Sequence, residues 1–230
     1  PEFQLKKVTL PRTTQRPLII GTGPAGLFAA LRLAEQGIAS TILERGSIGH
    51  QRINLINRFW RYGELNPDNN VCFGEGGAGL YSDGKLITRI KSPHIPYVMD
   101  RLVRLGAPPE IRYLANPHVG SDRIRRVIPN IREFLLARGC EIHFDSAMSQ
   151  LLLQGERVIG AQTRDGRRFL SAHTVLATGH SAEDVLHHLN EIGVALEGKS
   201  FALGLRIEHP QKIINRIQYR DHAEQIGRAH

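Results

Sequence analysis

The chain has 230 residues, a net charge of +8, and 41% hydrophobic against 23% charged residues, enough apolar material for a packed core and too much for a disordered segment. Two cysteines, Cys72 and Cys140, exclude a disulfide scaffold and offer no zinc-finger spacing. No run approaches the roughly 20 apolar residues of a membrane span and no secretory leader opens the sequence, so a soluble, cytoplasmic domain is expected.

Lysine occurs only at positions 6, 7, 85, 91, 199 and 212, so the positive charge is mostly arginine, the residue suited to bidentate grip on phosphate or carboxylate. The arginines are scattered and interleaved with acids, which argues against nucleic acid as the main partner.

Residues 1–16 are polar and proline-punctuated and read as an arm or linker. Pro17 to Gly21 gives a short apolar strand, Pro24 to Gln36 a helix stopped by Gly37, and Ile38 to Leu43 a second strand, a parallel crossover unit. A long irregular excursion follows from Gly46 to Ile95, holding a short helix around Arg52 to Tyr62 and the glycine cluster Gly74, Gly76, Gly77 and Gly79. Helices are predicted over 96–105 and 121–138, the latter striped by Ile124, Val127, Ile128, Ile131 and Leu135. A strand at Ile142 to Phe144 leads into an antiparallel meander of 149–154, 157–164 and 167–171. A return strand, Thr174 to Leu176, runs into Ala177-Thr178-Gly179, a helix spans 182–192, and a further strand starts at Phe201. The fold class is therefore α/β: a Rossmann-like FAD/NAD(P)-binding domain, its parallel sheet flanked by helices and interrupted by an antiparallel β-meander.

Gly21-Thr22-Gly23-Pro24-Ala25-Gly26 is a GxGxxG motif placed after a strand and opening a helix. There the first glycine makes the turn, the second admits a pyrophosphate to the backbone, and the third lets helix and strand pack. Unpaired N–H groups and the helix dipole favour the anion. Glu44 ends the second strand 18 residues beyond Gly26, where a carboxylate accepts from ribose hydroxyls and repels a 2′-phosphate. A dinucleotide with an unphosphorylated ribose is expected. An NAD domain would continue in regular strand–helix repeats after Glu44; the long excursion favours FAD, although spacing alone leaves both open.

Further stretches carry a family resemblance. They are residues 20–30 (IGTGPAGLFAA), 44–46 (ERG), 73–89 (FGEGGAGLYSDGKLITR), 116–122 (NPHVGSD), 176–182 (LATGHSA) and 205–210 (LRIEHP). With them the chain resembles the bacterial FAD-dependent dehydrogenases, or NAD(P)/FAD-dependent oxidoreductases, of the glutathione-reductase-like flavoproteins with two dinucleotide-binding domains. The resemblance implies that Gly21, Gly23, Pro24, Ala25 and Gly26 hold the FAD pyrophosphate and Glu44 the adenosine ribose. It sets Arg45 and Arg52 beside the adenine or phosphate, and Gly76, Gly77, Ala78, Gly79 and Ser82 near the pyrophosphate and flavin. Ala147 and Met148 would meet the adenine through backbone, and Ala177, Thr178, Gly179 and His180 would close over the nucleotide.

Such flavoproteins complete the site with a late Gly-Asp segment that has no counterpart in this sequence. The chain thus reads as part of a longer protein: an arm over 1–16, an FAD-binding domain over 17–200, and the beginning of a substrate-side domain over 201–230. It would supply the ADP-binding half of an oxidoreductase working on a small-molecule substrate or redox partner, NAD(P)H included. FAD-dependent tRNA modification and a non-catalytic nucleotide-binding fragment are the alternatives. His180 reads as a cofactor contact, a catalytic acid/base or a capping residue. His187 and His188 read as surface residues, His118 as loop structure, and Cys72 as a buried neutral thiol. Asp83 and Lys85, either side of Gly84, would pair across a turn or meet a phosphate.

Overall fold

The computed structural model describes residues 15–225 apart from 82, 83, 87, 89, 115, 116 and 206, and the chain divides into one compact unit up to Val194 and a second from Ala195. In the first unit four strands form a parallel sheet in the order β3-β2-β1-β7, with β1 Leu18–Ile20, β2 Thr41–Leu43, β3 Glu141–His143 and β7 Thr174–Leu176. The registers are regular, Leu18 opposite Thr41 and Thr174, and Thr41 opposite Glu141. Strands β4 Met148–Gln154, β5 Arg157–Thr163 and β6 Arg168–Leu170 make a separate antiparallel sheet, the expected meander.

β1 is apolar throughout because both its faces are covered, as parallel strands require. Ile19 and Ile42 point to one side, into a core built with helices α1 Pro24–Glu35, α3 Ile95–Arg104 and α4 Ser121–Leu136. Leu18, Ile20 and Leu43 point to the other, against Met148, Leu151 and Ala161 of the meander and Val185 of α5 Glu183–Glu191. The period of two along each strand thus sorts alternate residues into two cores. Helix α1 starts with Pro24 at a position that needs no N–H, and buries Leu27, Ala30, Leu31 and Ala34 at helical spacing. Helix α4 does the same with Val127, Ile128, Ile131 and Leu135. Within the excursion, α2 Gly49–Tyr62 starts earlier than its apolar pattern suggests and ends at Gly63 in the left-handed conformation. A 3-10 turn, Gly77–Tyr81, lies between α2 and α3.

The arginine excess has a structural use at one cleft, lined by Arg32, Arg101, Arg104 and Arg138 near the C-terminal ends of α1, α3 and α4. Guanidiniums there oppose the negative ends of three helix dipoles. Glu35 and Asp100 also bind several of them. In the same region Tyr97 packs edge-on to Phe28 with ring centroids 6.4 Å apart, and its hydroxyl donates to Glu35 over 3.1 Å.

The strand expected from Phe201 is not formed by the described residues of the second unit, which instead carries α6 Gln211–Tyr219 and a 3-10 turn, Arg220–Gln225. Phe201, Leu203, Leu205 and Ile207 alternate as strand residues do, yet are between 74% and 91% exposed. Among the described residues of the unit no strand offers the hydrogen bonds that would hold an extended segment in a sheet.

Burial and the adjacent Glu35 push the Tyr97 hydroxyl up to about 12 from its ordinary 10, against the opposing pull of Arg101 and Arg32. The unfolded chain therefore releases this proton first as pH rises, and stability falls between those two values. Tyr97→Phe is expected to remove that part of the alkaline loss. Urea midpoints compared at about pH 9 and about pH 11 check it, and an unchanged alkaline slope would contradict the assignment.

Candidate functional site

A cavity of about 570 Å³ opens at the C-terminal ends of β1, β2 and β7, where ligands collect in open parallel sheets. Its floor is the turn from β1 into α1, contributed by Gly21, Gly23, Pro24 and Ala25. Gly21 has φ +109°, and a Cβ there would stand 2.3 Å from the Ala177 carbonyl oxygen. A Cβ on Gly26 would stand 1.9 Å from the Gly21 oxygen. These two glycines are required by the protein's own packing, and Gly26 supports the floor from below.

Gly23 differs. Its backbone has the ordinary φ of −67°, and a Cβ built there meets nothing within 4 Å. The folded chain makes no demand for glycine at this position. It does leave a bare backbone facing the cavity beside the N-terminus of α1, whose first-turn N–H groups have no intrahelical acceptor. The residues present therefore fit a pyrophosphate.

Glu44 is buried at 5% exposure and occupied on both oxygens. Oε2 accepts from the Thr22 N–H at 2.8 Å and the Thr22 hydroxyl at 2.6 Å. Oε1 accepts from the Gly46 N–H at 3.0 Å and the Gly74 N–H at 2.9 Å. One carboxylate thus ties the cavity floor, the turn after β2 and the glycine cluster. The carboxylate lines the cavity, but a ribose hydroxyl reaching it would share an oxygen that already holds two donors. Thr22, which supplies two of these four donors, escaped the sequence reading; its signal was a hydroxyl between the first two motif glycines.

Arg52 was expected beside the adenine or phosphate of the cofactor. It is fully buried and does not line the cavity. Its guanidinium donates to the carbonyls of Asn70, Val71, Glu75 and Gly77 at 2.7–2.9 Å. It therefore acts inside the excursion, folding residues 70–77 around itself. Gly77, Ala78 and Gly79 do face the cavity, whereas Gly76 sits behind them, donating its N–H to the Thr22 carbonyl with Ile128 on its other side.

Arg45 lines the cavity with its guanidinium 4.2 Å over the Phe73 ring and its Nη2 donating to both Asp184 oxygens, at 2.7 and 3.0 Å. Burial alone would raise the Asp184 carboxyl, but Arg45 and Arg164 hold it below its ordinary value. Phe73 and Asp184 were not assigned to the site from the sequence, although Phe73 opens the 73–89 stretch that carries the resemblance. Ala177, Thr178 and Gly179 form the edge after β7, with exposed His180 at the rim. Met148 lines the cavity together with Ser146; Ala147 does not, and faces a separate cleft. Ser82 and Asp83 lie outside the described residues, as does Arg206. Lys85 forms an isolated antiparallel bridge with His118. Cys72 is exposed at the cavity wall, not buried, because the turn of residues 70–74 sends it outward while Arg52 draws the carbonyls in. His188 is half-buried and accepts the Leu151 N–H at 2.9 Å, joining α5 to β4 where a surface residue was expected.

The model of the FAD binding domain family matches residues 15–52, the segment that holds β1, the glycine turn, α1, β2 and Glu44. An uncharacterized protein of Clostridium beijerinckii is 43% identical over 204 residues, covering 89% of this chain and 38% of that protein. The chain thus spans well under half the length of that relative. Among solved structures, THI4 of Thermovibrio ammonificans is similar with a TM-score of 0.53 and 15% identity, over 79% of this chain and 64% of that one. The 3-ketosteroid dehydrogenase of Rhodococcus jostii RHA1 has a TM-score of 0.45 at 16% identity, over 74% and 47%. The chain carries a Rossmann-like FAD-binding domain, with FAD as its cofactor.

Proposed function

We propose that this chain supplies the ADP-binding half of the FAD site of an oxidoreductase, with the pyrophosphate on Gly23, Pro24 and Ala25 at the α1 N-terminus. The observation that carries the proposal is Gly23, a glycine that no steric contact in the folded chain requires and whose bare backbone faces the cavity at the α1 N-terminus. In this reading Arg45 and Phe73 flank the adenosine side, Ser146 and Met148 close one wall, and Ala177, Thr178, Gly179 and His180 close the other. Gly77, Ala78 and Gly79 cover the diphosphate from above. Glu44 keeps floor and roof at a fixed separation, and any ribose contact is shared with that task. FAD, when bound, supplies two-electron chemistry, and the chain supplies position and electrostatics. Reduction by a small-molecule donor or by NAD(P)H, and reoxidation by a second partner, belong to the whole protein.

FAD-dependent tRNA modification is the weaker reading. It needs an open basic groove leading to the cofactor. Among the described residues Arg45 and Arg164, at the cavity and its neighbouring cleft, are paired with Asp68 and Asp184. No helix of the described residues is long and apolar enough to cross a membrane.

Titration of the purified chain with ADP and with FAD, followed by calorimetry and flavin fluorescence, is expected to show saturable binding of both. A folded chain that binds neither would refute the proposal. Gly23→Ala should weaken both by at least about tenfold while moving the unfolding free energy by no more than about 1 kcal/mol, the cost of alanine at a helix N-cap. Equal affinity in the variant would show that the bare backbone is not the pyrophosphate seat.

Glu44→Gln should behave differently. Its amide nitrogen would face two donors, so stability should fall by about 2 kcal/mol or more together with nucleotide affinity. Chemical denaturation of the two variants side by side separates a ligand seat from a structural tie.

A further inference from the structure

A second cavity, of about 380 Å³, lies between α2, the 77–81 turn and α4. It shares a wall with the nucleotide cavity: residues 77–79 line one and Leu80 and Tyr81 the other. Its volume falls in the range of small-molecule sites, and its composition matches theirs, apolar walls with a few convergent polar groups. Ile53, Leu80, Ile128 and Pro129 supply the apolar part.

The charges do not balance there. Glu75, 2% exposed, is the one carboxylate in the lining, and it is fully engaged: Oε1 takes Arg132 at 2.6 Å and Oε2 caps α2 through the Gly49 N–H at 2.8 Å. Arg125 faces the same space with its guanidinium 5.7 Å from the Tyr81 ring, and among the described residues it meets no carboxylate. Arg52 lies 4.8 Å from that ring as well. Burial, outweighing Arg52 and Arg125, pushes the Tyr81 hydroxyl above its ordinary value, so the phenol stays a neutral donor at physiological pH. A cationic corner with a neutral O–H donor, set beside an apolar wall, is complementary to an amphipathic anion.

We propose that this cavity is a second binding site, for a small organic acid whose carboxylate meets Arg125 and Tyr81 and whose apolar body lies against Ile53, Leu80, Ile128 and Pro129. Its argument uses none of the nucleotide-binding residues and stands whether or not FAD occupies the first cavity.

The test titrates the purified chain with benzoate and with benzamide, its neutral isostere, by calorimetry with and without saturating ADP. Benzoate is expected to bind in the millimolar range and about fivefold or more tightly than benzamide, as one half-exposed charge pair allows. Arg125→Met, on the exposed side of α4, should keep the melting temperature and abolish the preference for the acid. Ile53→Trp, which fills the cavity from α2, should abolish binding of both probes. Absence of benzoate binding, equal affinity for benzamide, an undiminished preference in Arg125→Met, or displacement of benzoate by ADP would each overturn the assignment.

Discussion

The carboxylate of Glu44 is the point on which the cavity depends. Its four donors come from residues 22, 46 and 74, three loops that share no secondary structure. A buried carboxylate is costly unless its lone pairs are filled, and here backbone N–H groups fill most of them. The bonds work in both directions, since the N–H groups of turns that cannot form sheet or helix ladders also need acceptors. Arg52 complements it with the opposite polarity, collecting four orphan carbonyls from the same excursion. A segment too glycine-rich to order itself is thereby given a fixed path from both sides of its backbone.

This division separates two kinds of residue near the ligand space. Glu44, Thr22, Gly21, Gly26 and Arg52 satisfy demands internal to the chain, and their environments are complete without a ligand. Gly23 and Arg125 leave a surface open, one by lacking a side chain and one by lacking a counter-charge among the described residues. Open groups of this kind mark where something else is to be bound, whereas complete ones hold the frame.

Periodicity made the frame legible. The apolar run at 18–20, the helical stripe from Leu27 to Ala34, and the turn pairs Gly155-Glu156 and Asp165-Gly166 each state a local preference that the packing agrees with. The glycine turn was legible because the constraint lies within six consecutive residues. The partners of Arg52 and Glu44 and the exposure of Cys72 were not legible because each is set by residues distant in sequence, and a composition window carries no such information. The segment from Phe201 shows the converse error: alternation suggests a strand, but hydrogen bonds from a neighbour make it one, and the described residues of its unit offer none.

The return of β7 to β1 carries a consequence for the order of events during synthesis. Leu18 pairs with Thr174, so the central strand is flanked on one side by residues made almost last in the first unit. The Ala177 carbonyl that presses on Gly21 arrives with them. On the ribosome, the glycine turn therefore emerges early in the first unit but lacks its second wall until most of that unit has been made. Contacts of such long sequence separation form late and slowly. Until then the exposed edge of β1 is an unpaired row of backbone groups, the state in which a nascent chain of this topology most needs protection from its neighbours.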